Sequence, residues 1–381
     1  MRIAFYTICP STHQFPLAQE IIKRIGVENF HYIYVVAWMS RFEKERPKDA
    51  EAKLPRWCVS NKSDEGRRWI ETADVLVSGE RDVALFERRA KAGLKTIYSA
   101  ERWFKPVLGF GRMLHPRYFA MAWRFMRLVR GGFVTCLPMG VWAARDLARV
   151  ERLFCGDVRC LFRAPCLAFE SRPMGKIESF SWMHMWGYFV AASRNGVTRP
   201  ASDRTHGRAL RVLWVGQMLA LKRVDTLFKA SGAALEKIPI NLTIVGDGPE
   251  HGNLEKLARK ILGLHPDSIS FENPVPNARV RELMSQNDVY VLPSNAFEGW
   301  GAVVSEALEE GMEVFGTREA GSTATILPKE NLFAAGDDAA LASLLVRFAT
   351  DGTRHCHGIG KWTADFAAEA FVKEVAHVLG R

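Results

Sequence analysis

The sequence predicts an α/β protein made of two doubly wound domains. Three observations carry this. Short β-rich runs alternate with helical periods along the chain, the scheme is gone through twice, and a polar stretch without period separates the two rounds. Near-continuous apolar strands between helices mark parallel sheets covered on both faces.

In the first round the strand runs are "IAFYTI", "YIYVVA", "DVLVSG", "KTIYSA", "FVTCL" and "VRCLF", with helical periods such as "DVALFERRAKAG" between them. The second round reads "RVLWVG", "NLTIVG", "SISF", "DVYVLPS" and "MEVFGT". Between its second and third strands Leu254, Leu257, Ala258, Ile261 and Leu262 recur at helical spacing. The break lies near 192–209, rich in Gly, Ser and Thr. The expected layout is a domain over 1–195, a linker over 196–209 and a domain over 210–381. The last periodic segment, "FAAEAFVKEVAHVL", either closes the second domain or crosses back to the first. Ligands of doubly wound folds bind beyond the carboxyl ends of the strands, so the expected site is the cleft between two such domains.

Composition narrows the class. The chain is 48% hydrophobic and 25% charged, the profile of a soluble globular protein. No run reaches the roughly 18 apolar residues of a membrane span, and "MRIAFYTICP" does not read as a signal peptide. The expected compartment is the cytosol. Seven scattered cysteines without a C-x-x-C argue against a disulfide framework. "HCH" at 355–357 is not read as a metal site, because no second cluster supports it.

Charge is uneven. Residues 1–200 hold 33 Lys/Arg against 19 Asp/Glu, and residues 201–381 hold 19 against 23. The basic first half is expected to meet something anionic. From Arg102 to Arg145 there is no acidic residue, and arginines mix with Trp, Phe, Met and Leu. A helix over 117–130 sets Arg117, Arg124 and Arg127 on one side and Phe119, Ala122, Met126 and Val129 on the other. That suits a helix lying on anionic lipid; an ordinary core-facing helix has the same pattern. No nucleic-acid module is recognisable.

Three strand-to-helix junctions in the second half carry the chemistry. "RVLWV" leads into "GQMLALKRVDTLFKA", which puts Lys222 in a loop before an amphipathic helix, within reach of an anion at the helix start. "VGDGPEHG" supplies Gly246 and Gly248 for a tight turn. "DVYVLPS" leads through "NAFEGWG" into "AVVSEALEEG". Glu298 thus stands at a strand's carboxyl end, Gly299 and Gly301 let backbone approach a ligand, and Glu306 sits in the helix, where a carboxylate can take hydrogen bonds from a diol. Read singly, Lys222 is sooner a solvated surface lysine and "VGDGPEHG" sooner ordinary turn chemistry, while the plain alternatives for Glu298 and Glu306 are a helix-dipole partner and a surface charge.

Together, from about Arg211 to Leu327, they resemble glycosyltransferase family 4, retaining nucleotide-sugar transferases of the GT-B fold. The resemblance rests on "VGQMLALKRVDTLFKA", "LTIVGDGPEHGNLEKLA", "DVYVLPS" and "EGWGAVVSEALEEG", the last being the family's E-x7-E motif. It implies two Rossmann-like domains facing a cleft. It implies that Glu298 contacts the donor sugar near the reacting carbon and that Glu306 binds ribose hydroxyls. It also implies that Gly299, Trp300 and Gly301 bring backbone to the sugar and diphosphate, that Lys222 meets the diphosphate, and that Val275 lies where backbone meets the base. The family's Arg after the strand-ending Gly216 is here Gln217, a donor without charge, and Arg223 is the compensating candidate. The first half matches less well: a Gly-Gly loop is replaced by "CPSTHQFP". His13, Glu101 and Arg102, each at a strand end, are the acceptor-side candidates.

The implied activity moves a hexose-type sugar from a nucleotide-diphosphate donor to a lipid-linked or surface-polysaccharide acceptor. Lys222 and helix N–H groups stabilise the leaving group, with no metal and no cofactor beyond the donor as co-substrate. The expected location is cytoplasmic and peripheral, at the inner face of the plasma membrane, with an anionic membrane surface as partner. Two alternatives stand beside this reading, a nucleotide-sugar epimerase of GT-B fold and a non-catalytic nucleotide-sugar-binding protein.

Overall fold

The computed structural model describes residues 1–10, 13–37, 54–155, 187–190, 208–263, 268–356 and 363–380. The strand expected at "VRCLF", His357 of "HCH" and most of the expected linker lie outside them. The chain divides into two units, one formed by Met1–Ala191 with Trp362–Arg381 and the other by Ala192–Lys361.

The first unit holds β1 (Ile3–Thr7), β2 (Phe30–Tyr34), β3 (Cys58–Ser60), β4 (Val75–Ser78), β5 (Lys95–Tyr98) and β6 (Val134–Cys136), all parallel, in the order β3-β2-β1-β4-β5-β6. Its helices are α1 (Phe15–Ile25), α2 (Asp64–Thr72), α3 (Val83–Lys91), α4 (Pro116–Arg130) and α5 (Gly140–Cys155). Local chemistry sets their starts: the Ser63 hydroxyl accepts the Gly66 N–H, and the Asp82 carboxylate accepts that of Leu85. Arg89 is fully buried, its guanidinium donating to the carbonyls of Ile70, Ala73 and Lys95, which ties α3 to the strand-entry loops. Burial pushes its pKa down to about 10.

The apolar face of α4 differs from the expected one. Ala122, Phe125, Met126, Leu128 and Val129 are in the core, whereas Phe119 is 43% exposed, meeting the Phe154 ring at 4.9 Å. The core stripe is therefore centred on 122, 125, 126 and 129, one helical turn beyond Phe119. Of the three arginines, Arg124 is tied to Glu87 and Arg127 lies 4.9 Å over the Trp123 ring. Among the described residues no helix is long and apolar enough to cross a membrane.

The second unit repeats the design. Its strands are β7 (Leu210–Val215), β8 (Ile240–Val245), β9 (Ile269–Glu272), β10 (Val289–Leu292), β11 (Glu313–Thr317) and β12 (Leu332–Phe333), parallel, in the order β12-β11-β10-β7-β8-β9. Between them run α6 (Val224–Leu235), α7 (His251–Leu262), α8 (Asn277–Gln286), α9 (Val303–Glu309), α10 (Gly321–Ile326) and α11 (Asp338–Asp351). Asp288 anchors β10 beside β7, accepting from the backbone N–H of Arg211 and from the guanidinium groups of Arg208 and Arg211. Burial alone would raise this carboxyl; the arginines hold it below the usual range. The final helix, α12 (Ala364–Val378), belongs to the first unit, where it packs on α1 and sets the Phe371 ring 5.6 Å from Phe5.

Both sheets reverse strand order at one place, between β1 and β4 in the first unit and between β7 and β10 in the second. A doubly wound sheet opens a crevice at that switch point.

Candidate functional site

The switch point of the second unit gathers most of the singled-out residues. β7 ends at Val215, and Gly216 and Gln217 follow. The neighbouring loop is pressed against this turn. Gly246 has φ +135°, and a Cβ there would stand 2.0 Å from the Gly216 carbonyl oxygen, so only glycine fits. The Met218 N–H donates to Asp247 O at 2.8 Å, locking the two loops. A short 3-10 turn, Ala220–Lys222, then delivers Lys222. The loop after β10 reaches it, with Asn295 N–H donating to Leu221 O at 2.9 Å.

Lys222 Nζ donates to Glu298 Oε2, and Ser294 Oγ donates to the same oxygen at 3.1 Å. The side chains of Lys222 and Glu298 are 19% and 12% exposed, so the pair is mostly shielded yet reachable. Opposite charges at this depth are held firmly and are desolvated in part, which strengthens their action on a charged ligand. Ser294 is itself fixed, its carbonyl accepting from Thr317 Oγ1 at 2.5 Å.

Gly301 has φ +90°, and a Cβ there would meet Leu292 at 2.8 Å; one at Gly321 would stand 2.1 Å from the Gly299 carbonyl. The Gly-Trp-Gly turn is thus a backbone packed against backbone. Its tryptophan serves as an anchor: Trp300 is 1% exposed, and its carbonyl accepts the Ser322 N–H at 2.9 Å. Glu306, in α9, is buried, and Asn277 at the start of α8 donates Nδ2–H to its Oε1 at 2.9 Å. Beneath them Tyr290 is wholly buried and donates to Val215 O at 3.3 Å. Burial pushes its phenol up, and the Glu298 and Glu306 carboxylates add to the shift. Val275 is half-buried in the loop between β9 and α8.

Arg223 is differently placed. Its backbone is left-handed, φ +49°, at the start of α6, and its guanidinium is paired to Asp225 through Nε–Oδ1 at 2.9 Å and Nη2–Oδ2 at 3.1 Å. Its charge is already neutralised, so Lys222 is the cation of this loop that faces a carboxylate of the motif.

The acceptor-side candidates separate. His13 lines a recess at the switch point of the first unit, its ring 6.2 Å from that of Tyr188. Arg102 is drawn to Asp146 at 3.6 Å and stacks on Trp142; Glu101 pairs with Lys105 at 2.9 Å. Neither lines the recess. Residues that the sequence did not single out are Ser294, Asn277 and Ser322, whose buried hydroxyl is without a hydrogen-bond partner among the described residues.

Residues 209–351, which hold every one of these second-unit groups, match the family described as Glycosyl transferases group 1. That match falls within the second unit. Solved structures extend the likeness to the fold of the whole chain. The lipopolysaccharide outer core galactosyltransferase WaaB in its apo form has a TM-score of 0.64 at 14% identity, over 99% of each chain. Anabaena Alr3699/HepE in complex with UDP has a TM-score of 0.57 at 15% identity, over 100% of this chain and 98% of that one. At such identities the likeness shows the fold, which is GT-B. A curated relative, the N-acetyl-alpha-D-glucosaminyl L-malate synthase of Bacillus anthracis, is 26% identical over 166 residues, 43% of this chain and 42% of that protein. The match thus spans less than half of the curated relative's length.

Proposed function

We propose that this glycosyl transferase moves a hexose-type sugar, with retention and without a metal, from a nucleoside-diphosphate donor to a lipid-linked or glycan acceptor. The observation that carries the reading is the Lys222–Glu298 pair at the switch point of the second unit, with Glu306 buried in the helix that follows. Breaking the bond between sugar and diphosphate leaves negative charge on the phosphate and positive charge on the sugar carbon. Lys222 answers the first charge and Glu298 the second, from positions fixed before the donor arrives. Glu306, oriented by Asn277, offers its carboxylate to the ribose diol. Gln217 adds a neutral donor at the diphosphate. UDP in the Anabaena structure supports testing a uridine donor first.

The test is a panel of nucleotide sugars incubated with the chain, with and without glycan acceptors, and products read by mass spectrometry. Nucleoside diphosphate release that depends on Lys222 supports the reading. Interconversion of donor sugars without release would point to an epimerase and overturn it.

The acceptor side is proposed to work at an anionic membrane surface at the cytoplasmic face. Val107, Leu108 and Leu114 are 91%, 69% and 88% exposed beside Arg112 and Arg117, in a stretch without acids. Large apolar side chains set among arginines suit an interfacial contact. The structure changes which arginines matter, since Arg124 and Arg127 are occupied by Glu87 and Trp123. Flotation with vesicles rich in anionic lipid is expected at low salt and is lost in Leu108→Glu/Leu114→Glu. Equal flotation of both proteins contradicts the contact.

A further inference from the structure

The switch point of the first unit opens on a recess that is in part open to solvent. It is built from the end of β1, the start of α1, the turns after β4 and β5, and residues 187–189. Its described lining is unlike that of the second unit in one respect: it holds no lysine, arginine, aspartate or glutamate. What it holds is a set of rings, His13 and Tyr188 among them, and the polar but neutral groups of Thr7, Gln14 and Ser99.

The nearest cations in sequence are turned to other partners. Arg81, two residues past Gly79, donates to Tyr118 Oη at 2.6 Å and lies over the Trp103 ring. Arg102 is drawn to Asp146, and Lys105 pairs with Glu101. Gln14 is oriented: the Tyr32 hydroxyl donates to its Oε1, so the amide NH2 is the donor this side chain has to offer. Gly79 keeps the floor low, since a Cβ there would stand 2.9 Å from the Ser99 carbonyl.

We infer that this recess takes an uncharged polyhydroxylated ring, a neutral sugar residue of the acceptor, and rejects acceptors that present a carboxylate or phosphate there. A ring with one face of C–H groups and a rim of hydroxyls suits aromatic walls and a few neutral donors and acceptors. A carboxylate entering the same space would lose its hydration and meet no lysine or arginine in the described lining, His13 being the one residue there able to carry positive charge. The inference rests on the transfer reading proposed above, since it is as an acceptor that such a ring has a role.

The experiment is saturation-transfer NMR on the full chain with methyl hexopyranosides of gluco, galacto and manno configuration, and with L-malate as a dicarboxylate. Each is titrated against wild type, Gln14→Ala, Tyr188→Ala and the milder Tyr188→Phe. At least one glycoside is expected to saturate, with about tenfold weaker binding in Gln14→Ala and Tyr188→Ala, a smaller loss in Tyr188→Phe, and no malate signal. Absence of glycoside binding, glycoside binding that ignores these variants, or malate binding that depends on them overturns the inference. UDP titrated into the same samples reads the second unit separately. Loss of UDP binding with glycoside binding intact counts against the donor site and not against this one.

Discussion

The two units share a strand order and therefore a switch point, yet they offer opposite chemistry there. In the second unit the crevice is lined by a lysine, two carboxylates and glycines that hold backbone against backbone. In the first the described lining is aromatic and holds no lysine, arginine, aspartate or glutamate. The contrast teaches that the doubly wound sheet supplies a place and the loops supply the chemistry. On the readings proposed above, one place takes a ligand that carries charge and gains charge as its bond breaks, and the other takes a ligand that carries none.

The largest effect expected from breaking this contrast is at Lys222. Lys222→Ala should lower kcat by about a hundredfold or more, ~2.7 kcal/mol of barrier, because Gln217 brings no charge and Arg223 is neutralised by Asp225. Steady-state donor turnover measures it, and a near-wild-type kcat removes the diphosphate from this loop. Gln217→Arg sharpens the same point. It should be tolerated and tighten nucleoside-diphosphate binding, since a guanidinium holds phosphate oxygens in pairs.

A smaller effect is expected one step back from the reacting groups. Ser294→Ala removes a hydrogen bond to Glu298 Oε2 without touching its charge. Turnover should fall several-fold, about 1 kcal/mol, with KM for the donor little changed. A change confined to KM would place Ser294 in binding instead. An effect on stability, not on turnover, lies outside both crevices. Glu151, in α5, is 2% exposed, and burial pushes its carboxyl up to about 7. The folded chain then binds more protons than the unfolded one between about pH 4.3 and 7, so this group's contribution falls as pH rises through that window. Glu151→Gln should raise Tm at pH 8 and leave it nearly unchanged at pH 5; thermal melts at the two values check it.

How much of this was legible in the sequence follows from the range of each interaction. The alternation of strands and helices is a local signal, and the motif glutamates stand at a fixed spacing within one junction. That Lys222 and Glu298 form a pair is not local: 76 residues separate them, and only the β7–β10 pairing brings their loops together. Asn277 is hidden for the same reason, being an ordinary polar residue at a helix start until α8 is laid beside α9. The spacing of the two motif glutamates carries no sign of depth, so the burial of Glu306 emerges only once α9 is packed. Edge strands β3 and β12, of three and two residues, are too short to show a period. His13 stood out from its βα loop, whereas Tyr188 beside it had no pattern to mark it.

The central claim is that the second unit's crevice holds a nucleoside diphosphate through charge, and Glu306 tests it most directly. Calorimetric titration of the full chain with UDP and GDP should show saturable binding of at least one. Glu306→Ala, checked for folding by circular dichroism, should bind it roughly ten- to hundredfold more weakly, the loss of charge-assisted hydrogen bonds to the ribose of about 1.5–3 kcal/mol. A folded Glu306→Ala variant with wild-type affinity would contradict the account.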